Sequence, residues 1–103
     1  MKTYNKLVRD KIPEIINSSG KSFDIHYANK EEILPLLETK LNEEVSEYLE
    51  AKNLEEIADV MEVLFGLANA LGYSEEALIN KRNEKKAERG GFEKGIVLEK
   101  VYE

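Results

Sequence analysis

Apolar positions recur at helical spacing along most of the chain. The places where that spacing breaks mark out four helices and two extended segments. Leu7, Val8, Ile12, Ile15 and Ile16 give the opening stretch one apolar side. Pro13 suits the first turn of a short helix from Pro13 to about Asn17, which Ser18-Ser19-Gly20 ends. Phe23, Ile25 and Tyr27 then alternate with Asp24 and His26, which predicts a short strand over residues 21–28 with His26 on its outer side. Asn29 is a good N-cap for a long helix with Glu31 and Glu32 in its first turn, although Pro35 moves the expected start towards Leu34. Ile33, Leu34, Leu37, Leu41, Val45, Tyr48 and Leu49 form its apolar stripe. Ala51-Lys52-Asn53 is a break short enough to turn the next helix back antiparallel. Asn53 caps that helix, with Glu56 three residues on in a capping-box arrangement. Gly72 ends it as a C-cap. Ser74 caps a last helix that runs to Arg89, where Gly90-Gly91 breaks it. Ile96, Val97, Leu98, Val101 and Tyr102 predict a final strand that pairs with 21–28. The expected fold is mainly α: a helical bundle with a small β-ribbon from the N- and C-terminal segments, one domain over residues 1–103.

The second long helix carries a consequence beyond its own boundaries. From Ile57 to Leu71 it is apolar nearly all round, interrupted only by Asp59, Glu62, Asn69 and Gly66. A helix without a polar face is buried on every side, and a 103-residue chain has little material with which to wrap it. An oligomer follows as the expectation, with this helix against its copy and Gly66, Ala68 and Ala70 allowing close approach.

Charge narrows the choice of partner. The net charge of −6 argues against a nucleic-acid polymer, because such binding rests on neutralising phosphates. Between Glu31 and Glu62 stand 11 acids and two lysines, a net of −9, while the rest of the chain carries a net of +3. The absence of Cys fits a reducing, cytoplasmic setting. No apolar run reaches the ~20 residues of a membrane span, and no signal peptide opens the chain.

The acids of the middle are arranged rather than scattered. Glu44 and Glu47 are three apart, as are Glu56 and Asp59, so each pair lies on one helix face. Glu44 continues the row Leu34, Leu37, Leu41 and is followed by Tyr48, which places a carboxylate inside an apolar stripe. An unpaired charge there carries a large desolvation cost. Asp59, in the apolar second helix, faces the same difficulty. Four carboxylates converging between two helices suit Mg²⁺, or Mn²⁺, which takes a few carboxylates and then phosphate oxygens. Basic residues at the chain's ends suit that phosphate: Lys6, Arg9 and Lys11, with Asp10, in an irregular N-terminal stretch, and Arg82, Lys86 and Arg89 on the last helix. A di-iron site is the chemical competitor, but such sites use Glu-x-x-His, and the only histidine, His26, follows neither pair.

Leu41-x-x-Glu44-x-x-Glu47 followed by Glu56-x-x-Asp59-Val60 resembles the all-α nucleoside triphosphate pyrophosphohydrolase superfamily. That group contains MazG-like enzymes, dimeric dUTPases and phosphoribosyl-ATP pyrophosphohydrolase. Tyr4-Asn5-Lys6-Leu7-Val8-Arg9-Asp10-Lys11-Ile12-Pro13, with Lys86-x-x-Arg89-Gly90-Gly91-Phe92, is similar to a small branch labelled phosphoribosyl-ATP pyrophosphohydrolase-like. The resemblance implies a MazG-like bundle and Mg²⁺-dependent cleavage between α and β phosphates, giving a nucleoside monophosphate and pyrophosphate. It implies Glu44, Glu47, Glu56 and Asp59 as metal ligands, with Glu43 assisting Glu44 and Glu47 in catalysis. It further implies Lys86 and Arg89 as phosphate contacts, and a homodimer or homotetramer. The alternative reading is a non-catalytic dimeric helical module that binds a nucleotide or a protein partner.

Overall fold

A computed structural model describes residues 2–102. Four α-helices make up its regular structure: α1 (Ile12–Ser18), α2 (Lys30–Ala51), α3 (Leu54–Ala70) and α4 (Glu75–Arg89). The mainly α expectation holds. The β-ribbon does not: among the described residues no strand forms, and residues 21–28 and 96–102 run as irregular chain. Phe23, Ile25, Ile96, Val97 and Leu98 are exposed. Their alternating apolar residues have no surface to lie on, and a two-stranded ribbon without one is marginal in water.

Capping chemistry decides the helix ends. Asn29 accepts from the backbone N–H groups of Glu31 and Glu32, and the Glu32 side chain accepts from the Asn29 N–H at 3.2 Å. This complete capping box starts α2 at Lys30 despite Pro35, so the start expected near Leu34 is corrected upstream. Box and acidic first turn together outweigh one lost intrahelical hydrogen bond. Lys52 takes the left-handed conformation at φ 50° and ends α2. Asn53 then caps α3 by accepting from the Glu56 N–H at 2.9 Å. Two residues thus reverse the chain. Gly72, at φ 94°, turns the chain out of α3, and Ser74 caps α4.

α2 and α3 form an antiparallel hairpin. Near one end, Gly66 lies so close to Leu37 that a Cβ there would meet the Leu37 Cδ2 atom at 3.0 Å. Nearer the loop, Glu44 faces Glu56 and Asp59. Gly66 therefore serves α2–α3 packing within one chain. α4 packs only on α3, and α1 packs on no other helix. Among the described residues the buried side chains are Leu37, Val63, Ala68 and Glu44.

That is very little core. The radius of gyration is 18.1 Å, against about 13 Å for a compact chain of this length. The accessible surface is 9533 Å², against about 5,900 Å² for a compact monomer of this mass. Leu54, Ile57, Met61 and Leu64 are exposed on α3. Their steps of three and four residues make one apolar seam on the side of the helix that α2 leaves uncovered. Among the described residues, no helix is long and apolar enough to cross a membrane.

Candidate metal centre

The hairpin brings three carboxylates together. Glu44 from α2 and Glu56 and Asp59 from α3 each offer an oxygen within 4.8 Å of the other two. Glu44 occupies the apolar stripe of α2 and is only 7% exposed. The row that carries Leu37 and Leu41 towards α3 carries Glu44 there as well. Glu56 and Asp59, three apart, project from the facing side of α3.

The polar accounting of this cluster is incomplete. Glu44 Oε1 has Lys40 Nζ at 3.3 Å, one turn back on α2. Glu44 Oε2 and Glu56 Oε2 are both buried without a hydrogen-bond partner. Burial pushes the Glu44 carboxyl above the usual carboxylate range. Lys40 opposes that shift, and repulsion from Glu47 adds to it. The contrast with Glu32 is informative. Glu32 closes its capping box, and the hydrogen bond from the Asn29 backbone, helped by His26, holds its carboxyl below the usual range. Glu56 stands at the same N3 position of α3, yet the only capping bond there is the one Asn53 accepts. Its carboxylate turns into the groove instead of back to the helix start.

These residues fit a hard divalent cation. Octahedral Mg²⁺ at ~2.1 Å from its ligands sets oxygens about 3.0 Å apart when adjacent and about 4.2 Å apart when opposite. A spread of at most 4.8 Å closes to that by a shift of under about 1 Å in one carboxylate. Two orphaned buried oxygens in one groove are the pattern a bound cation satisfies.

Of the remaining acids expected at the site, Glu47 stays outside the three-residue cluster and is exposed. It makes no ion pair among the described residues. Glu43 is committed elsewhere: its Oε1 lies 3.1 Å from Lys6 Nζ and 3.6 Å from Lys40 Nζ. The Lys6 hydrogen bond holds the Glu43 carboxyl below its usual range, and the same bond raises Lys6.

The basic residues divide into two groups. The N-terminal arm reaches the acids. Asn5 kinks the arm at φ 47°, a conformation that Asn tolerates well. Lys6 then meets Glu43, and Arg9 Nη2 donates to Asp59 Oδ1 at 2.7 Å. Asp10 and Lys11 form the turn that enters α1 and are exposed, with no side-chain bond to the acids. On α4, Arg82 donates to Asn83 Oδ1 and Lys86 lies 3.8 Å from Glu93. Among the described residues no hydrogen bond or ion pair ties Arg82, Lys86 or Arg89 to the acid cluster. His26 is exposed, with Nε2 3.1 Å from Glu32 Oε2; with no strand formed, Phe23, Ile25 and Tyr27 on the other side of the alternation are exposed as well. Lys40 is a site residue that the acidic motif alone does not reveal. Its signal was the three- and four-residue spacing to Glu43 and Glu44.

The chain matches no family model, no curated protein and no solved structure.

Proposed function

We propose that the protein is a Mg²⁺-dependent nucleotide pyrophosphohydrolase of the MazG-like kind. It cleaves a nucleoside triphosphate between the α and β phosphates to a monophosphate and pyrophosphate, as a cytoplasmic guard of the nucleotide pool. One observation carries the reading: Glu44 and Glu56 bury unpartnered oxygens in a groove shared with Asp59. One bound cation would answer both oxygens at once. Mg²⁺ or Mn²⁺, when bound, supplies the charge that makes an acidic groove accept phosphate and polarises the phosphorus for attack by water.

The chain's own residues divide the remaining work. Glu44, Glu56 and Asp59 hold the cation. Glu47 lies one turn from Glu44 and carries no ion pair among the described residues. Its carboxylate is the better acceptor for the proton of an attacking water. Glu43 is held by two lysines and is a poorer base, so its part is to anchor Lys6. Lys6 and Arg9 stand at the groove and neutralise phosphate charge. Arg82, Lys86 and Arg89 form a basic face on α4 that serves the same end only where a second copy brings it to the groove.

The assignment includes self-association. The apolar seam on α3 and the large exposed surface fit a homodimer or homotetramer. The test is pyrophosphate release across a panel of canonical and modified triphosphates with Mg²⁺, comparing wild type with Glu44→Gln. No turnover on any member, with Glu44→Gln binding Mg²⁺ as wild type does, overturns the assignment. The α3 seam also favours a second reading, a non-catalytic dimeric module. Titration calorimetry that finds a nucleotide bound and intact for hours with Mg²⁺ present selects it.

A further inference from the structure

The N-terminal arm is held over the acid groove by two ion pairs to two different helices. Lys6 pairs with Glu43 on α2 and Arg9 with Asp59 on α3. Little else holds it. α1, which follows the arm, packs on no other helix, and Tyr4 and Val8 are exposed. Between the arm and α2 lies a small cleft lined by Asn5, Lys6 and Leu7 on one side and Leu36, Thr39, Lys40 and Glu43 on the other, with Leu7 half-buried. The Lys6 and Arg9 side chains are 39% and 55% exposed, so each pair is weak. A weak clasp on a groove with two orphaned oxygens is built to let go.

Charge gives the clasp its direction. Glu43, Glu44, Glu47, Glu56 and Asp59 carry five negative charges, and Lys6, Arg9 and Lys40 return three. The remaining −2 is the charge of one divalent cation. Arg9 is the only one of the three cations that bonds a member of the Glu44–Glu56–Asp59 cluster from outside the hairpin. Its guanidinium and a divalent cation draw on the same Asp59 carboxylate and repel each other. Its fork of donors also matches a phosphate as well as a carboxylate.

We propose that Arg9 is an exchangeable latch. It holds the arm on Asp59 while the cluster lacks a cation, releases Asp59 when the cluster is filled, and passes to the phosphates of the incoming nucleotide, with Lys6 following. The inference rests on the reading of Glu44, Glu56 and Asp59 as a cation site. It makes Arg9 a competitor of the cation and a partner of the phosphate, two effects of opposite sign.

The experiment measures Mg²⁺ binding by titration calorimetry without nucleotide, then binding of a non-hydrolysable triphosphate analogue at saturating Mg²⁺. Wild type, Arg9→Gln, Arg9→Lys and Glu44→Gln are compared, with folding checked by circular dichroism. Arg9→Gln binds Mg²⁺ several-fold tighter and the analogue about tenfold weaker, while Arg9→Lys stays near wild type in Mg²⁺ affinity. In the wild-type chain, Mg²⁺ alone speeds tryptic cleavage after Lys6 and Arg9, and adding the analogue slows it again. Weaker Mg²⁺ binding by Arg9→Gln, or unchanged analogue binding, overturns the latch and leaves Arg9 as a support for Asp59. Unchanged Mg²⁺ binding by Glu44→Gln overturns the cation site itself, whatever the Arg9 variants do.

Discussion

Replacing Glu44 by Gln stabilises the cation-free protein at neutral pH, although it removes the one charged group the helix hairpin buries. The magnitude follows from the surroundings of the side chain. A buried, unsatisfied polar oxygen costs about 1–3 kcal/mol, and Glu44 Oε2 is such an atom. The opposing loss is the attraction of Lys40 at i−4, about 0.3–0.5 kcal/mol for a helical pair. In the variant, an amide N–H₂ can stand in place of an oxygen and donate towards the orphaned Glu56 Oε2. The expected net gain is about 1–2 kcal/mol, or roughly 5–10 °C in Tm for a chain of this size.

The pH dependence carries the sign. Glu44 is raised above its ordinary value of 4.5, first by burial. The folded state therefore holds this proton more tightly than the unfolded chain does. The cost of the charged form is full above the folded pKa and is relieved as pH falls towards 4.5. Glu43 and Glu32 are lowered, so their contributions are present above 4.5 and lost only below it. Lys6 is raised from 10.5 and titrates far above the window. The advantage of Glu44→Gln over wild type is thus larger at pH 7 than at pH 5. Thermal unfolding of both proteins in EDTA at the two pH values measures it. A variant less stable than wild type at pH 7, with a gap that does not close at pH 5, refutes the reasoning. Saturating Mg²⁺ reverses the order: a ligand at 100 times its Kd adds about 2.7 kcal/mol to wild type and nothing to the variant.

Three further outcomes follow from the same geometry. In EDTA, Glu32→Ala lowers stability because the capping box of α2 opens, whereas Glu56→Ala, which removes a carboxylate that closes no box, does not. Chemical denaturation of the pair checks this, and an equal loss in both returns Glu56 to a capping role. Pro35→Ala, at an exposed position inside α2, raises stability by about 1 kcal/mol or more by restoring a hydrogen bond to the Glu31 carbonyl, read as a rise in urea midpoint. Met61→Glu, in the exposed α3 seam, shifts the sedimentation coefficient to that of a single chain while monomer helicity is kept. An unchanged coefficient means the seam is not where copies meet.

The helices were legible because each carries its own start signal. Asn29, Asn53 and Ser74 each accept from the N–H groups expected of an N-cap. Pro35 does not delay the start of α2, because its local penalty is outweighed by a capping box whose closure depends on Glu32 reaching back. The ribbon failed for a different reason. Alternation marks which residues would share a face, but not whether anything lies beneath it, and residues 21–28 and 96–102 find no sheet or helix to cover. Gly66 shows the same limit. Its small size announces a close approach, yet the neighbour is Leu37 of the same chain, which spacing alone does not name.

The acid cluster was legible to the extent that its members sit on periodic elements. Glu44 breaks an apolar row, and that violation located one side of the groove; the three-residue step from Glu56 to Asp59 located the other. Glu47 obeys the same step from Glu44 and lies outside the cluster. A three-residue step falls about 60° short of a full turn, enough to carry Glu47 from the seam to its rim, because the stripe of α2 is centred on Glu44. The pairing of each cation with its acid was beyond reach. Arg9 and Asp59 are 50 positions apart, Lys6 and Glu43 are 37, and the link between them is an irregular arm whose course no periodicity encodes. A motif of acids states how much charge is gathered. How far that charge is already answered depends on where the arm lies, and the exchange between Arg9 and a cation on Asp59 is set by that arm.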